Sequence, residues 1–147
     1  MMVSVEDFGS RLEGIKAAII AEEERRVEQG EDLQTPKQRD RCEQVGCCIN
    51  GMLCYAACPQ YGLNPKFTGP GILALLHRYN ADSRDGGQAE RNELGYADEG
   101  FWGCTAVGYC SEVCPKGVDP ANAINQNKMN SAINYFTRFV TPGGAGK

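Results

Sequence analysis

Long apolar runs are missing from this chain: the longest, within "GILALLHRY", holds about six apolar residues where a membrane span needs ~20. The chain is therefore not expected to cross a bilayer. Clustered positive charge is missing too. With 15 Lys and Arg against 19 Asp and Glu the formal charge is −4, and the basic residues are scattered. That excludes the electrostatic footprint of a nucleic-acid binder. The N-terminus, "MMVSVEDFGSRLEGIK", has no basic segment followed by an apolar stretch and a small-residue cleavage site, so it does not read as a secretory signal and the expected compartment is reducing. No stretch alternates apolar and polar residues in the manner of a half-buried strand. The expected class is mainly α.

What remains is a set of helix signals. A chain of 147 residues suits one domain, or one domain with an appendage. Ser4 and Asp7 have capping-box spacing, and Phe8, Leu12, Ile15, Ile19 and Ile20 follow at helical intervals, which predicts a helix over 4–29 that turns polar and stops at Gly30. The charge run within it, "AEEERRVEQGED", reads as a solvated face. Thr35 and Pro36 open a second helix through "TPKQRDRCEQ". Ile72, Leu73, Leu75, Leu76 and Tyr79 mark another that fades at Asp82, and "GGQAERNELGY" suits one more short helix. Asp119 and Pro120 begin a long one, before the glycine-rich tail "TPGGAGK". The expected organisation is an N-terminal helix and polar linker over 1–34, a domain over 35–140 and a flexible tail over 141–147.

Against these absences stand eight cysteines. A reducing compartment opposes a disulfide framework. Structural zinc usually takes C-x2-C knuckles, and no two cysteines here have that spacing. The pattern they do have is a repeat. Cys48, Gly51, Cys54 and Cys58-Pro59 are separated by three, three and four residues, and so are Cys104, Val107, Cys110 and Cys114-Pro115. Two such runs are what a two-cluster bacterial ferredoxin core requires, each giving its last cysteine to the other's cluster. The second site would then use Cys58, Cys104 and Cys110, with Val107 at a corner where no bond to iron can form, which suits a 3Fe-4S cluster. The first would use Cys48, Cys54 and Cys114, with Gly51 at its own vacancy, so it too has only three regular ligands. The expected fold is a mainly α, two-cluster ferredoxin-like domain with flanking helices.

The segments "CYAACPQYGLNPKFTGP", "LLHRYNADSRD" and "GYCSEVCPKGVDPANAI" resemble the C-terminal ferredoxin domain of the iron-sulfur subunit of bacterial quinol:fumarate reductases, relatives of succinate dehydrogenase. The resemblance runs from about Val5 to Val140. It implies the same ligand sets for one 4Fe-4S and one 3Fe-4S cluster, and a relay of electrons between a flavoprotein that interconverts fumarate and succinate and a quinone, menaquinone by the flavour of the motifs. It further implies membrane-anchor subunits and a peripheral place on the cytoplasmic face of the inner membrane. Thr105 and Lys128, with Asn125 as a weaker candidate, match positions near the quinone head group. The chain departs from the family twice. A cysteine is expected where Gly51 stands; Cys47 beside Cys48 is a possible substitute, and otherwise the fourth iron binds water or is lost, or the site does not assemble. No plant-type C-x4-C-x2-C motif precedes Cys42, so the family's 2Fe-2S domain is expected from another chain or was lost by truncation. The rival expectation is a free-standing soluble ferredoxin. Cys42, read as a small buried hydrophobe, and His77, read as structural, receive no functional role.

Overall fold

Helix α5, Pro70–Ala81, is apolar on nearly every side, and the rest of the protein is arranged to bury it. Ile72, Leu73 and Leu76 have no exposed surface, and α5 packs against five other helices. The computed structural model describes residues 3–21, 28 and 30–140, apart from the side chains of 137–139. In chain order the helices are α1 (Val5–Gly14), α2 (Pro36–Gly46), α3 (Leu53–Ala56), α4 (Pro59–Leu63), α5, α6 (Gln88–Gly95), α7 (Tyr109–Glu112) and α8 (Pro120–Val140), with a 3-10 turn at Phe101–Gly103 before α7. No strand occurs among the described residues, as the lack of alternation predicts.

The caps read from sequence are formed. Thr35 Oγ1 accepts from the Gln38 amide at 3.3 Å while Gln38 Oε1 accepts from the Thr35 amide at 2.9 Å, a complete capping box. Asp119 accepts from the Asn122 amide at 2.9 Å and starts α8. At the head of α5, Gly69 has φ +95°, and a β-carbon there would lie 2.0 Å from the Tyr55 ring, so glycine is required on both counts. Tyr55 is fully buried; its hydroxyl donates to Thr68 O and accepts from the Ile72 amide. That one side chain ties α3 to the first turn of α5.

The first helix departs from expectation. It ends at Gly14 rather than running to 29, and Lys16 takes a left-handed φ of 47°. Tertiary bonds outweigh the apolar period here. Arg91, buried and paired with the buried Asp85, donates to the carbonyls of Lys16 and Ala18, both at 3.4 Å. The Ile20 amide donates to Asp85 Oδ1 at 3.0 Å, and the Gly86 amide returns a bond to Ile20 O at 2.7 Å. Residues 15–21 thus form an extended strap fixed to the α5–α6 connection, and Phe8 and Ile15 join the same core as Tyr55 and Phe101. Most of the polar end of the predicted helix, 22–27 and 29, lies outside the described residues, as does the predicted tail, 141–147.

Candidate cluster-binding loops

The cysteine repeat is also a repeat of backbone. Shifting the first loop by 56 residues superposes Cys48, Cys54 and Cys58 on Cys104, Cys110 and Cys114, and α3 on α7, end for end. Left-handed residues fall at the same places: Asn50 (φ 55°) matches Ala106 (φ 58°), and Met52 (φ 55°) matches Gly108 (φ 91°). Only Gly108 takes this conformation freely. Asn50 tolerates it through its short polar side chain, whereas Met52 and Ala106 are carried into a region that costs on the order of 1–2 kcal/mol per residue, and strain of that kind persists where the surroundings impose it and marks functional sites. Alternation of right- and left-handed residues turns successive amides toward one concave side, the geometry that cradles anions at Fe–S sites. In the second loop the Ala106 amide already donates to Cys104 Sγ at 3.4 Å.

Each loop closes a cavity with one cysteine borrowed from the other. Cys48, Gly51 and Cys54 line the first together with Cys114; its empty volume, including space open to solvent, is about 530 Å³. Cys104, Val107 and Cys110 line the second together with Cys58, at about 310 Å³. Adjacent residues of α5 face different cavities, Gly71 the first and Pro70 the second, so the first turn of α5 separates them. Burial pushes the Cys54 thiol up to about 12, helped by the nearby Cys48 and Cys110. Burial likewise raises Cys110, with Cys104 and Cys58 adding to it. Cys54 thus lies within electrostatic reach of Cys48 and Cys110, and Cys110 of Cys104 and Cys58.

The donor sets fit iron-sulfur clusters. The ligating groups in each cavity are sulfur, the soft donor that iron-sulfide cores select. Among the described residues no three His, Cys, Asp or Glu side chains converge on a point where they could hold a single ion. Cys47 is exposed, caps α2 through its backbone and lines neither cavity. Cys42 is buried and donates to Arg39 O, in line with its structural reading.

The 4Fe-4S dicluster domain family matches residues 43–115, which contain both loops. The chain is 46% identical over 146 residues to the fumarate reductase iron-sulfur subunit of Mycobacterium tuberculosis, an alignment covering 99% of this chain and 59% of that protein. It is 49% identical over 142 residues to the subunit of the same name from Escherichia coli O157:H7, covering 97% and 58%. The chain belongs to the iron-sulfur subunit family of fumarate reductases and succinate dehydrogenases. A succinate dehydrogenase iron-sulfur subunit from Coxiella burnetii is more distant, 33% identical over 127 residues, covering 86% and 53%. This member of the family spans about three-fifths of the length of the two fumarate reductase subunits.

In this family member the remaining sequence-predicted residues gather unevenly. Lys128 reaches back from α8 so that its Nζ donates to Cys104 O at 2.6 Å and stands 5.8 Å from the centre of the Trp102 ring. Thr105 is exposed on the rim of the second cavity. Asn125 lies one turn before Lys128 and is exposed, but it lines neither cavity. Trp102 belongs to no sequence motif. Its one signal is position, two residues before a ligand cysteine. His77 lies away from both cavities: Asn127 Nδ2 donates to His77 Nδ1 at 2.8 Å, and burial lowers the imidazole pKa, the behaviour of a satisfied structural histidine. No helix among the described residues is long and apolar enough to cross a membrane.

Proposed function

We propose that this chain relays electrons between a flavoprotein that interconverts fumarate and succinate and a membrane quinone, in keeping with its membership of the fumarate reductase and succinate dehydrogenase iron-sulfur subunit family. The observation that carries the reading is the exchange of cysteines between the two loops, Cys114 into the first cavity and Cys58 into the second. Cys48, Cys54 and Cys114 would hold a 4Fe-4S-type cluster, and Cys58, Cys104 and Cys110 a 3Fe-4S cluster. When bound, each cluster takes up and returns one electron. The chain's part is to fix, shield and tune. The left-handed loop residues would turn amides toward a bound cluster, the core around Tyr55 and Phe67 would exclude water, and the first turn of α5 would hold the two sites side by side.

Lys128 would serve the quinone. Its ammonium is partly buried against Trp102 and beside a ligand residue, so it can stabilise negative charge developing on a quinone oxygen or supply a proton to it. Thr105 at the same rim would position the head group. The quinone expected is menaquinone, and the partners are the flavoprotein, a 2Fe-2S domain or subunit and membrane-anchor subunits, which would keep this chain at the cytoplasmic face of the inner membrane. Large exposed side chains near the second loop favour a complex over a free-standing ferredoxin. Trp102, Val107 and Tyr109 are each about half exposed, and Met129, next to Lys128, more so. Such a surface calls for a partner.

The test is anaerobic reconstitution followed by iron and sulfide analysis, low-temperature EPR and gel filtration with the flavoprotein and anchor subunits. An oxidised 3Fe-4S signal and stable co-elution are expected. Protein that takes up zinc but no sulfide would contradict the cluster reading, and a cluster-loaded monomer that ignores the other subunits would favour the soluble shuttle.

A further inference from the structure

The corner at Gly51 is open. Because the two loops share their backbone, Gly51 occupies the place that Val107 fills in the second loop. A β-carbon at Gly51 would meet only Ile49 Cγ1, at 3.8 Å, so nothing of the protein occupies the space a fourth ligand would use. Cys47, the one nearby candidate, points elsewhere: it is exposed and does not line this cavity. The cavity that Gly51 lines is mostly apolar, with Ile49, Met52, Leu53 and Val118 among its lining residues beside the polar Asn50 and the exposed Lys116.

We infer that the first loop forms a ligand-binding site in which the iron facing Gly51 takes a small exogenous thiolate from solution. This rests on the cluster reading proposed for the loop. Iron in a sulfide core is soft and prefers sulfur to oxygen donors. The apolar wall suits the alkyl body of a small thiol, and Lys116 suits its negative charge. The exchange needs no oxidant or reductant. The thiol proton passes to solvent, the sulfur bonds to iron, and the solvent at that corner leaves.

The experiment uses the full chain, reconstituted anaerobically, freed of small thiols, reduced, and titrated with 2-mercaptoethanol while EPR is recorded. The reduced first-loop signal should shift saturably in the wild type and in Cys47→Ala, and should not respond in Gly51→Cys, where a protein thiolate fills the corner. Lys116→Ala should raise the half-saturating concentration about 2- to 5-fold, the scale of an exposed charge. A wild-type signal indifferent to thiol overturns the inference, and if Cys47→Ala then becomes responsive, Cys47 is the fourth ligand. A first-loop cluster that forms only in Gly51→Cys also overturns it but leaves the cluster reading standing. No cluster in any of these proteins overturns both. Gly51→Cys introduces no left-handed residue and meets no close neighbour, so its folding is not at risk.

Discussion

The two cysteine loops share one backbone but place glycine differently, Gly51-Met52 in the first against Val107-Gly108 in the second. In the second loop the assignment is economical. Glycine takes the left-handed position, and valine puts an inert side chain at the corner. In the first loop the glycine stands one residue early, so Met52 bears the left-handed strain and the corner is bare. The lesson is that the fold of such a loop is set by its cysteine spacing and by packing from outside. Met52 and Cys54 are held against the core that contains Phe8 and Tyr55, firmly enough to impose the same turn on a residue that resists it. Local propensity was overruled by tertiary contact, whereas ligand chemistry at the corner was left to whichever residue fell there.

The strongest way to break the comparison is to remove ligands from the second loop. Cys104→Ser or Cys110→Ser should abolish the oxidised 3Fe-4S EPR signal, since each takes away one of three thiolates, whereas Cys42→Ala should leave it intact. A full signal in either serine variant would sink the assignment. Next in size is Val107→Cys. It adds a thiolate at the inert corner, and after reconstitution with iron the oxidised signal should give way to a reduced 4Fe-4S signal at lower potential; an unchanged spectrum would mean that Val107 does not face the cluster.

Lys128→Ala should slow quinone turnover about 100-fold in an assembled complex while reduction by succinate is unaffected. Equal loss with a soluble artificial acceptor would remove Lys128 from the quinone site. The smallest effect compares the strained residues themselves. Met52→Gly should stabilise the first loop by about 1 kcal/mol, and Gly108→Ala should destabilise the second by a similar amount, read from denaturant midpoints. Shifts of the same sign would show that the two turns are not equivalent.

Much of this was legible in the sequence, for identifiable reasons. Thr35-Pro36 and Asp119-Pro120 announce α2 and α8 because caps act locally, and the run from Ile72 to Tyr79 announces α5 because it is buried nearly all round. The over-long first helix was not avoidable from the same signals. What stops it is a carboxylate and a guanidinium some 65 to 75 positions away, Asp85 and Arg91, which claim the strap's backbone groups. The six cysteines that line the two cavities were legible because a repeated interval is a strong pattern. Lys128 and Thr105 came from family resemblance alone, and Trp102 came from neither, since a lone aromatic has no spacing to betray it. Only the fold brings Lys128 beside Cys104 across 24 residues of chain.

Sharing of each cluster between the two loops is tested most directly by one paired measurement. Cys114→Ser and Cys58→Ser are prepared side by side, reconstituted anaerobically and recorded by EPR both oxidised, for the 3Fe-4S signal, and reduced, for the first-loop cluster. Crossing predicts that Cys114→Ser keeps the 3Fe-4S signal while losing the first-loop cluster, and that Cys58→Ser does the reverse. If Cys114→Ser instead loses the 3Fe-4S signal and Cys58→Ser keeps it, each loop binds its own cluster and the exchange of cysteines between them is refuted.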